Sequence, residues 1–395
     1  MKKRVVIIGS RFAGYTAALE LSRLLKNKHE IIVIDKRADF VFTPYLVWYP
    51  FGLRKDEEVI FKTRPVYKKA GITFIEATVF GFDLENRLVY TQKEDIPYDY
   101  LLIAAGAERD YSNIKGFSNN ENAHSILNLE EAQRTKIAWE KFLKNPGPAV
   151  IGAAQGAAYF SLAYEFLFNV HYQLKKLNLL EKAPLSFVSS EPFLTHLGIG
   201  GLENVREVFE KMFDEMGVKR YMNAEVKEIK AKEVVLFSGE HIPSNFTMII
   251  PRYIGHTMIR ATRGLGDENG FIEVNDEYRH VNYPEIYAAG KAVHIPPISE
   301  TPVACGAPKS CYPSELMARI AAHNIAADIE GGEHTKLPFS AIHAYYLMDS
   351  INLDTDIFGE TADVENHLDF ILPSPHAIWA KGAFEKYFTE THNVG

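Results

Sequence analysis

Cysteine is scarce in this 395-residue chain: Cys305 and Cys311 are the only two. Two thiols exclude a disulfide-stapled scaffold and a four-cysteine zinc site, and no metal site is expected. Excess positive charge is also missing. The formal net charge is −8 and the pI is about 6.0. Nothing basic is therefore available to displace counterions from nucleic-acid phosphates. No apolar run approaches the roughly 20 residues that span a bilayer. The run Val5-Val6-Ile7-Ile8 is too short for a signal-peptide core, and no small-residue cleavage site follows it. Low-complexity tracts are absent. Apolar residues make up 47% of the chain, enough for a large core. The length suggests two or three domains. The expectation is a cytoplasmic globular protein, with peripheral membrane contact left open.

What is present begins at residue 5. Val5-Val6-Ile7-Ile8 fits a strand buried on both faces of a parallel sheet. The turn Gly9-Ser10-Arg11-Phe12-Ala13-Gly14 follows at once, and a helical pattern runs over residues 12–25 with Ala17, Ala18, Leu21, Leu24 and Leu25 as its apolar stripe. A second buried strand, Ile31-Ile32-Val33-Ile34, ends at Asp35, which lies 21 residues after Gly14. This is the Rossmann layout: a tight turn, a helix N-terminus that attracts pyrophosphate, and an acid for ribose hydroxyls. Arg11 breaks the rule, standing where a second glycine is expected. It either reaches phosphates or points to solvent.

Two later blocks favour FAD over NAD at this turn. Residues 98–107 (YDYLLIAAGA) and 283–290 (YPEIYAAG) both read as strands ending in small-residue turns. With the first turn they resemble the two-dinucleotide-binding-domain flavoproteins.

Further stretches resemble one branch of these, the sulfide:quinone oxidoreductases. They are Phe42-Thr43-Pro44 with Trp48, residues 150–156 with 163–166, Glu191-Pro192, and residues 196–201 (HLGIGG). Ile295-Pro296-Pro297, Thr301-Pro302-Val303, Gly306-Ala307-Pro308-Lys309, residues 321–325 and residues 380–388 continue the series. The resemblance covers nearly the whole chain in order. It implies an α/β protein with two Rossmann-like domains and a C-terminal cap. The FAD-binding domain is assigned to residues 1–115 and 280–335, a second NAD-type unit to 145–279, and the cap to 336–395. The cofactor-binding residues it implies are Gly9, Arg11, Phe12, Ala13, Gly14, Asp35, Lys36, Pro44, Val79, Ala105, Gly106, Gly290, Lys291, Pro308 and Lys309.

The family's chemistry uses cysteines, and these do not carry over. The matching positions hold Leu127, Tyr159 and, in looser register, Tyr346. Tyrosine cannot perform thiol–disulfide exchange. Cys305 and Cys311 then read either as a relocated redox pair or as two small buried residues. Lys309, at the start of the helix expected over residues 311–328, would add charge at the pyrimidine end of a flavin. His196 reads as a proton relay or a surface-loop histidine. Glu165 reads as a buried proton-transfer group or a structural one, and His124 is a weaker candidate.

The second glycine turn, Gly152-Ala153-Ala154-Gln155-Gly156, lacks two glycines of a dinucleotide fingerprint, and Glu191 follows its strand two residues late. Tight NADH binding is not expected there. Ile378, Trp379, Ala383, Phe384, Tyr387 and Phe388, with Lys381 and Lys386, have the spacing of an interfacial amphipathic helix, or of a helix docked on the core. Tyr345, Tyr346 and Trp379 read as quinone-pocket lining or as ordinary core. The function expected is an FAD-dependent oxidoreductase that passes electrons to a quinone, with sulfide as an uncertain donor. An NAD(P)H-dependent flavin dehydrogenase and a non-catalytic flavin-binding redox sensor are the alternatives. A homo-oligomer is compatible with the sequence.

Overall fold

A computed structural model gives the fold and describes residues 1–117, 122–201, 203–343 and 386–388. The chain opens with β1 (Arg4–Ile8), α1 (Phe12–Leu25) and β2 (Glu30–Asp35). Next come β3 (Thr73–Glu76), β4 (Tyr100–Ile103), β5 (Ala107–Asp110) and α2 (Leu129–Lys144). The middle of the chain forms β6 (Ala149–Ala153), α3 (Phe160–Lys176), β7 (Leu185–Ser189), α4 (Glu203–Glu215) and β8 (Lys219–Tyr221). It closes with β9 (Phe246–Ile250), β10 (Arg252–Gly255), β11 (Ile286–Ala288) and α5 (Cys311–Glu330).

Two sheets organise these elements. The first has the order β11-β4-β1-β2-β3, all parallel. Val5, Val6 and Ile7 in β1 and Leu101, Leu102 and Ile103 in β4 are wholly buried. The β-branched runs thus sit between layers on both faces, as their sequence indicates. Each such side chain contributes roughly 1.5–3 kcal/mol by leaving water. The late strand β11 completes the sheet made by early strands, because Ile286–Ala288 pairs with β4. The second sheet has the order β8-β7-β6-β9, again parallel. An antiparallel ribbon, β5 with β10, joins the two units, and Arg252 Nε donates to Asp110 across it at 2.7 Å.

Helix α1 packs on α5. Ala17 and Ala18 of α1 and Ala318, Ala321 and Ala322 of α5 are all wholly buried. Small residues let two helices approach closely. α1 starts where the sequence places it and ends at Lys26 in a left-handed conformation.

In the C-terminal part, Phe388, read above as belonging either to an interfacial helix or to one docked on the core, is wholly buried. Its ring stacks on Phe40 at 5.2 Å and tilts against Phe12 at 5.0 Å. Helical spacing does not separate a lipid-facing stripe from a core-facing one, and here the core supplies the partners. Tyr387, by contrast, is 41% exposed, and its hydroxyl accepts from Arg319 at 3.1 Å. Tyr345, Tyr346, Ile378, Trp379, Lys381, Ala383 and Phe384 lie outside the described residues. Among the described residues no helix is long and apolar enough to cross a membrane.

Gly152 sits where β6 meets β7. A Cβ there would overlap the Val188 backbone carbonyl, which cannot swing aside as a side chain can. Gly152→Ala should therefore cost about 1–3 kcal/mol, read as a lowered denaturant midpoint. Gly332→Ala, whose Cβ would meet only Ala327 at 3.4 Å, should stay within about 0.5 kcal/mol of wild type.

Candidate functional site

The first glycine turn is shaped by two close approaches. Gly9 has φ +99°, and a Cβ on it would lie 2.5 Å from the Ala104 carbonyl oxygen. A Cβ on Gly14 would overlap the Gly9 carbonyl. Both positions therefore require glycine. The Ser10 amide donates to Asp35 Oδ2 at 2.7 Å, and the Arg37 amide to Oδ1 at 3.1 Å. The acid at the end of β2 thus stands directly beside the turn. Arg11 occupies the N-cap of α1, and no side chain caps this helix. The first amides of a helix lack intrahelical partners and attract anions. Arg11 is half-buried, which lowers its pKa, while Asp35 opposes that shift. Its side chain is turned neither fully to solvent nor away from the acid.

Beyond the ends of β2 and β3 lies a cleft of about 570 Å³, lined by Lys36, Arg64, Phe74, Glu76, Ala77 and Thr78. Val79 follows it and is buried. Pro44 lies in a short turn (Thr43–Val47) whose Tyr45, Leu46 and Val47 are buried.

Two further segments converge on the same turn. Ala105 and Gly106 follow β4 and are partly buried. Gly290 follows β11, and a Cβ on it would lie 3.1 Å from the Ala13 side chain and 3.3 Å from Ser314. The exit of β11 therefore touches both α1 and the first turn of α5. The two helix starts face one region.

The start of α5 holds two buried polar groups. Ser310 is its N-cap, wholly buried, and makes no side-chain cap bond. The Ser310 hydroxyl has no partner among the described residues. Next to it, Lys309 is almost wholly buried. Its ammonium donates to the carbonyls of Val293 at 2.5 Å and Lys291 at 3.4 Å, and lies 4.2 Å from the Phe271 ring centre. No carboxylate pairs with it among the described residues. Burial, and then the charge of Lys291, push its pKa down to about 7. Lys291 itself donates to the Tyr253 hydroxyl at 2.8 Å and lies 5.6 Å from the Tyr159 ring. Pro308 is buried beside Lys309. An uncapped helix start over a glycine cradle, an orphaned hydroxyl and a buried unpaired cation fit FAD. The pyrophosphate suits α1, and the electron-rich pyrimidine end suits α5.

The second glycine turn is occupied by the protein itself. Ala154 N–H donates to Ile250, Gly156 N–H to Ala304 at 2.6 Å, and Ala157 N–H back to Ala154. The Gln155 amide exchanges two bonds with the Val226 backbone. Gly306 and Lys309 amides donate to Ala157 and Ala158. Residues 304–309 thus lie along the turn that would otherwise meet a dinucleotide. Glu191, read in sequence as a late ribose acid, is wholly buried. It accepts from Tyr164, Ser189 and the Leu197 amide.

The candidate catalytic residues separate. Both cysteines are free. Cys305 Sγ lies 3.7 Å from Ser190 Oγ, and burial raises its pKa. Cys311 is buried at the first position of α5, 3.3 Å from Thr43 Oγ1. The two thiols thus bond to different elements and form no disulfide. His196 is buried rather than on the surface, and its Nδ1 accepts from the Gly198 amide at 3.2 Å. Burial lowers its pKa. Glu165 is buried within α3, well apart in sequence from the 304–309 segment. His124 stacks on Phe246, and burial pushes its pKa down to about 4. It is therefore neutral and packs as an aromatic. Sequence reading missed Ser310 and Tyr253. Neither belongs to a local motif, although serine before a helix is a capping signal.

Comparison with known proteins agrees with this geometry. Residues 3–307 match the pyridine nucleotide-disulphide oxidoreductase family. The chain is 34% identical to the sulfide-quinone reductase of Aquifex aeolicus, over 98% of this chain and 90% of that protein. It is 24% identical to the mitochondrial sulfide:quinone oxidoreductase of Dictyostelium discoideum, over 74% of this chain and 66% of that one. The crystal structure of the Aquifex aeolicus enzyme superposes with a TM-score of 0.80, covering 83% of this chain and 77% of that chain. The converging glycine turns, the paired helix starts and a match along nearly the whole sequence lead to one conclusion: the chain belongs to the sulfide:quinone oxidoreductase family of FAD-dependent oxidoreductases.

Proposed function

We propose that the chain passes electrons from a sulfur donor through FAD to a quinone, and does not take them from NAD(P)H. FAD supplies the two-electron chemistry when bound. The observation that carries the reading is the commitment of the second glycine turn to residues 304–309, beside an open and polar first site. The amides at the start of α1 hold the pyrophosphate, and Asp35 holds the ribose. Lys309 and the positive end of α5 stabilise negative charge at the pyrimidine end of the flavin. Family membership favours sulfide as donor. The family's thiol positions here hold Leu127 and Tyr159, so Cys305 is the partly exposed thiol left beside the site. Quinone as acceptor carries peripheral membrane contact with it.

Purified protein should be yellow. Under anaerobic conditions sulfide should bleach the flavin, and a short-chain quinone should restore it. NADH and NADPH should leave it oxidised on the same timescale. Saturable reduction by NADH, or no reoxidation by any short-chain quinone, would overturn the reading.

Lys309 gives a pH dependence. Without cofactor its pKa lies at about 7, and the hydrogen-bond acceptors at the pyrimidine end of FAD would restore it towards the ordinary lysine value. A group whose pKa rises on binding favours binding where it is already protonated. FAD affinity of the apoprotein should therefore weaken roughly tenfold from pH 6 to pH 8. Lys309→Met should abolish that slope. The check is quenching of flavin fluorescence on titration into apoprotein, and an unchanged slope in the variant would count against the assignment.

A further inference from the structure

The loop after Pro192 carries two residues in unfavourable backbone conformations. Thr195 has φ +65° and Leu197 has φ +56°. Neither residue type adopts the left-handed region readily, least of all β-branched threonine. Such conformations persist only where the surroundings over-determine them, and they cluster at functional sites.

Two buried side chains hold them. The Thr195 amide donates to the Tyr164 hydroxyl at 2.9 Å. The Leu197 amide donates to Glu191 Oε1 at 2.7 Å. Tyr164 in turn donates to Glu191 Oε2 at 2.8 Å, and Ser189 Oγ donates to the same oxygen at 2.7 Å. The Glu191 carbonyl accepts from the Asn223 amide at 2.6 Å. Every strained residue of the loop is thus tied to one carboxylate, directly or through Tyr164.

The loop next meets residues 304–309, the segment that the flavoprotein reading turns towards the flavin. A Cβ on Gly198 would lie 2.7 Å from the Gly306 carbonyl oxygen. Gly306 follows Cys305, whose thiol lies 3.7 Å from Ser190 Oγ, the residue before Glu191. The groups facing Glu191 are Tyr164 from α3, Ser189 at the end of β7, the Leu197 amide from the loop, and Cys305 from the flavin-facing segment. None of its hydrogen-bond partners among the described residues is cationic. His196, in the same loop, is held towards its neutral form by burial.

We propose that Glu191 is a positioning residue: its carboxylate fastens the strained 195–201 loop against the flavin-facing segment and governs the reactivity of Cys305. Two observations beyond geometry agree. Burial raises the Glu191 pKa to about 7 even with three donors opposing it. The Cys305 pKa is raised, first by burial, and the charge of Glu191 acts in the same direction. Carboxylate and thiol resist ionising together. The role rests on the flavoprotein reading only for what the segment faces.

The test uses the holoprotein and reads alkylation of each cysteine by iodoacetamide, resolved by mass spectrometry, as a function of pH. The thiolate is the reacting form. Glu191→Gln keeps an acceptor for Leu197 and removes the charge. It should speed alkylation of Cys305 at pH 8 by roughly three- to tenfold and leave Cys311 unchanged. Glu191→Asp should restore the wild-type profile in part. An unchanged Cys305 profile, or equal acceleration at both cysteines, would overturn the proposal. The wild type offers a check that needs no variant: an infrared band of a protonated carboxyl group should vanish as pH rises through about 7. Absence of any such band would also overturn it. Neither measurement depends on the donor or the quinone, so failure of the electron-transfer reading would be seen separately.

Discussion

The contact between the start of α1 and the end of β1 constrains the rest of the site. With no Cβ on Gly9 or Gly14, the helix sits directly on the turn, and its uncapped amides open towards one place. Asp35, the Ala105–Gly106 turn and Gly290 are brought to that place by neighbouring strands of one parallel sheet. Gly290 also lies against both α1 and the first turn of α5. A second helix start then adds its field to the first. Ligands of open parallel sheets bind beyond the carboxyl ends of the strands, and every one of these residues lies there.

Two buried ionisable groups flank the 304–309 segment. Among the described residues no carboxylate is bonded to Lys309 and no cation to Glu191. Neither partners the other. An unpaired buried charge is costly, and both groups accordingly shift towards their neutral forms. The costs have different explanations. Lys309 lies beside the Ser310 hydroxyl, which has no partner among the described residues, at a helix start, an arrangement that a hydrogen-bond-accepting ligand completes. Glu191 is fully bonded within the protein, and what it holds is a strained loop. One group waits for a ligand and the other stores conformation.

Much of the first site was legible in sequence because its signals are local. A β-branched run, a glycine turn and an apolar stripe predict β1, the turn and α1 over residues 12–25, and α1 runs from Phe12 to Leu25. The start of α5 at Cys311 was legible for the same reason, though the helix runs on to Glu330. What sequence could not give depends on packing between distant residues. Glu191 reads as a late acid, and its burial appears only once Tyr164 and Leu197 fold over it. Cys305 and Cys311 read either as a redox pair or as two small buried residues, and which groups they meet, Ser190 and Thr43, appears only in the fold. Phe388 reads equally as a lipid-facing or core-facing residue, and the rings of Phe12 and Phe40 decide it.

The central claim is that the second glycine turn is bonded to residues 304–309 while the first is left for a dinucleotide. Amide hydrogen exchange measures this most directly. In the holoprotein, Gly156, Gly306 and Lys309 amides should be protected by their bonds to Ala304, Ala157 and Ala158, and millimolar NADH should leave that protection unchanged. Removal of FAD should instead deprotect the amides at the start of α1 and α5. NADH-dependent protection across residues 152–158 would contradict the account.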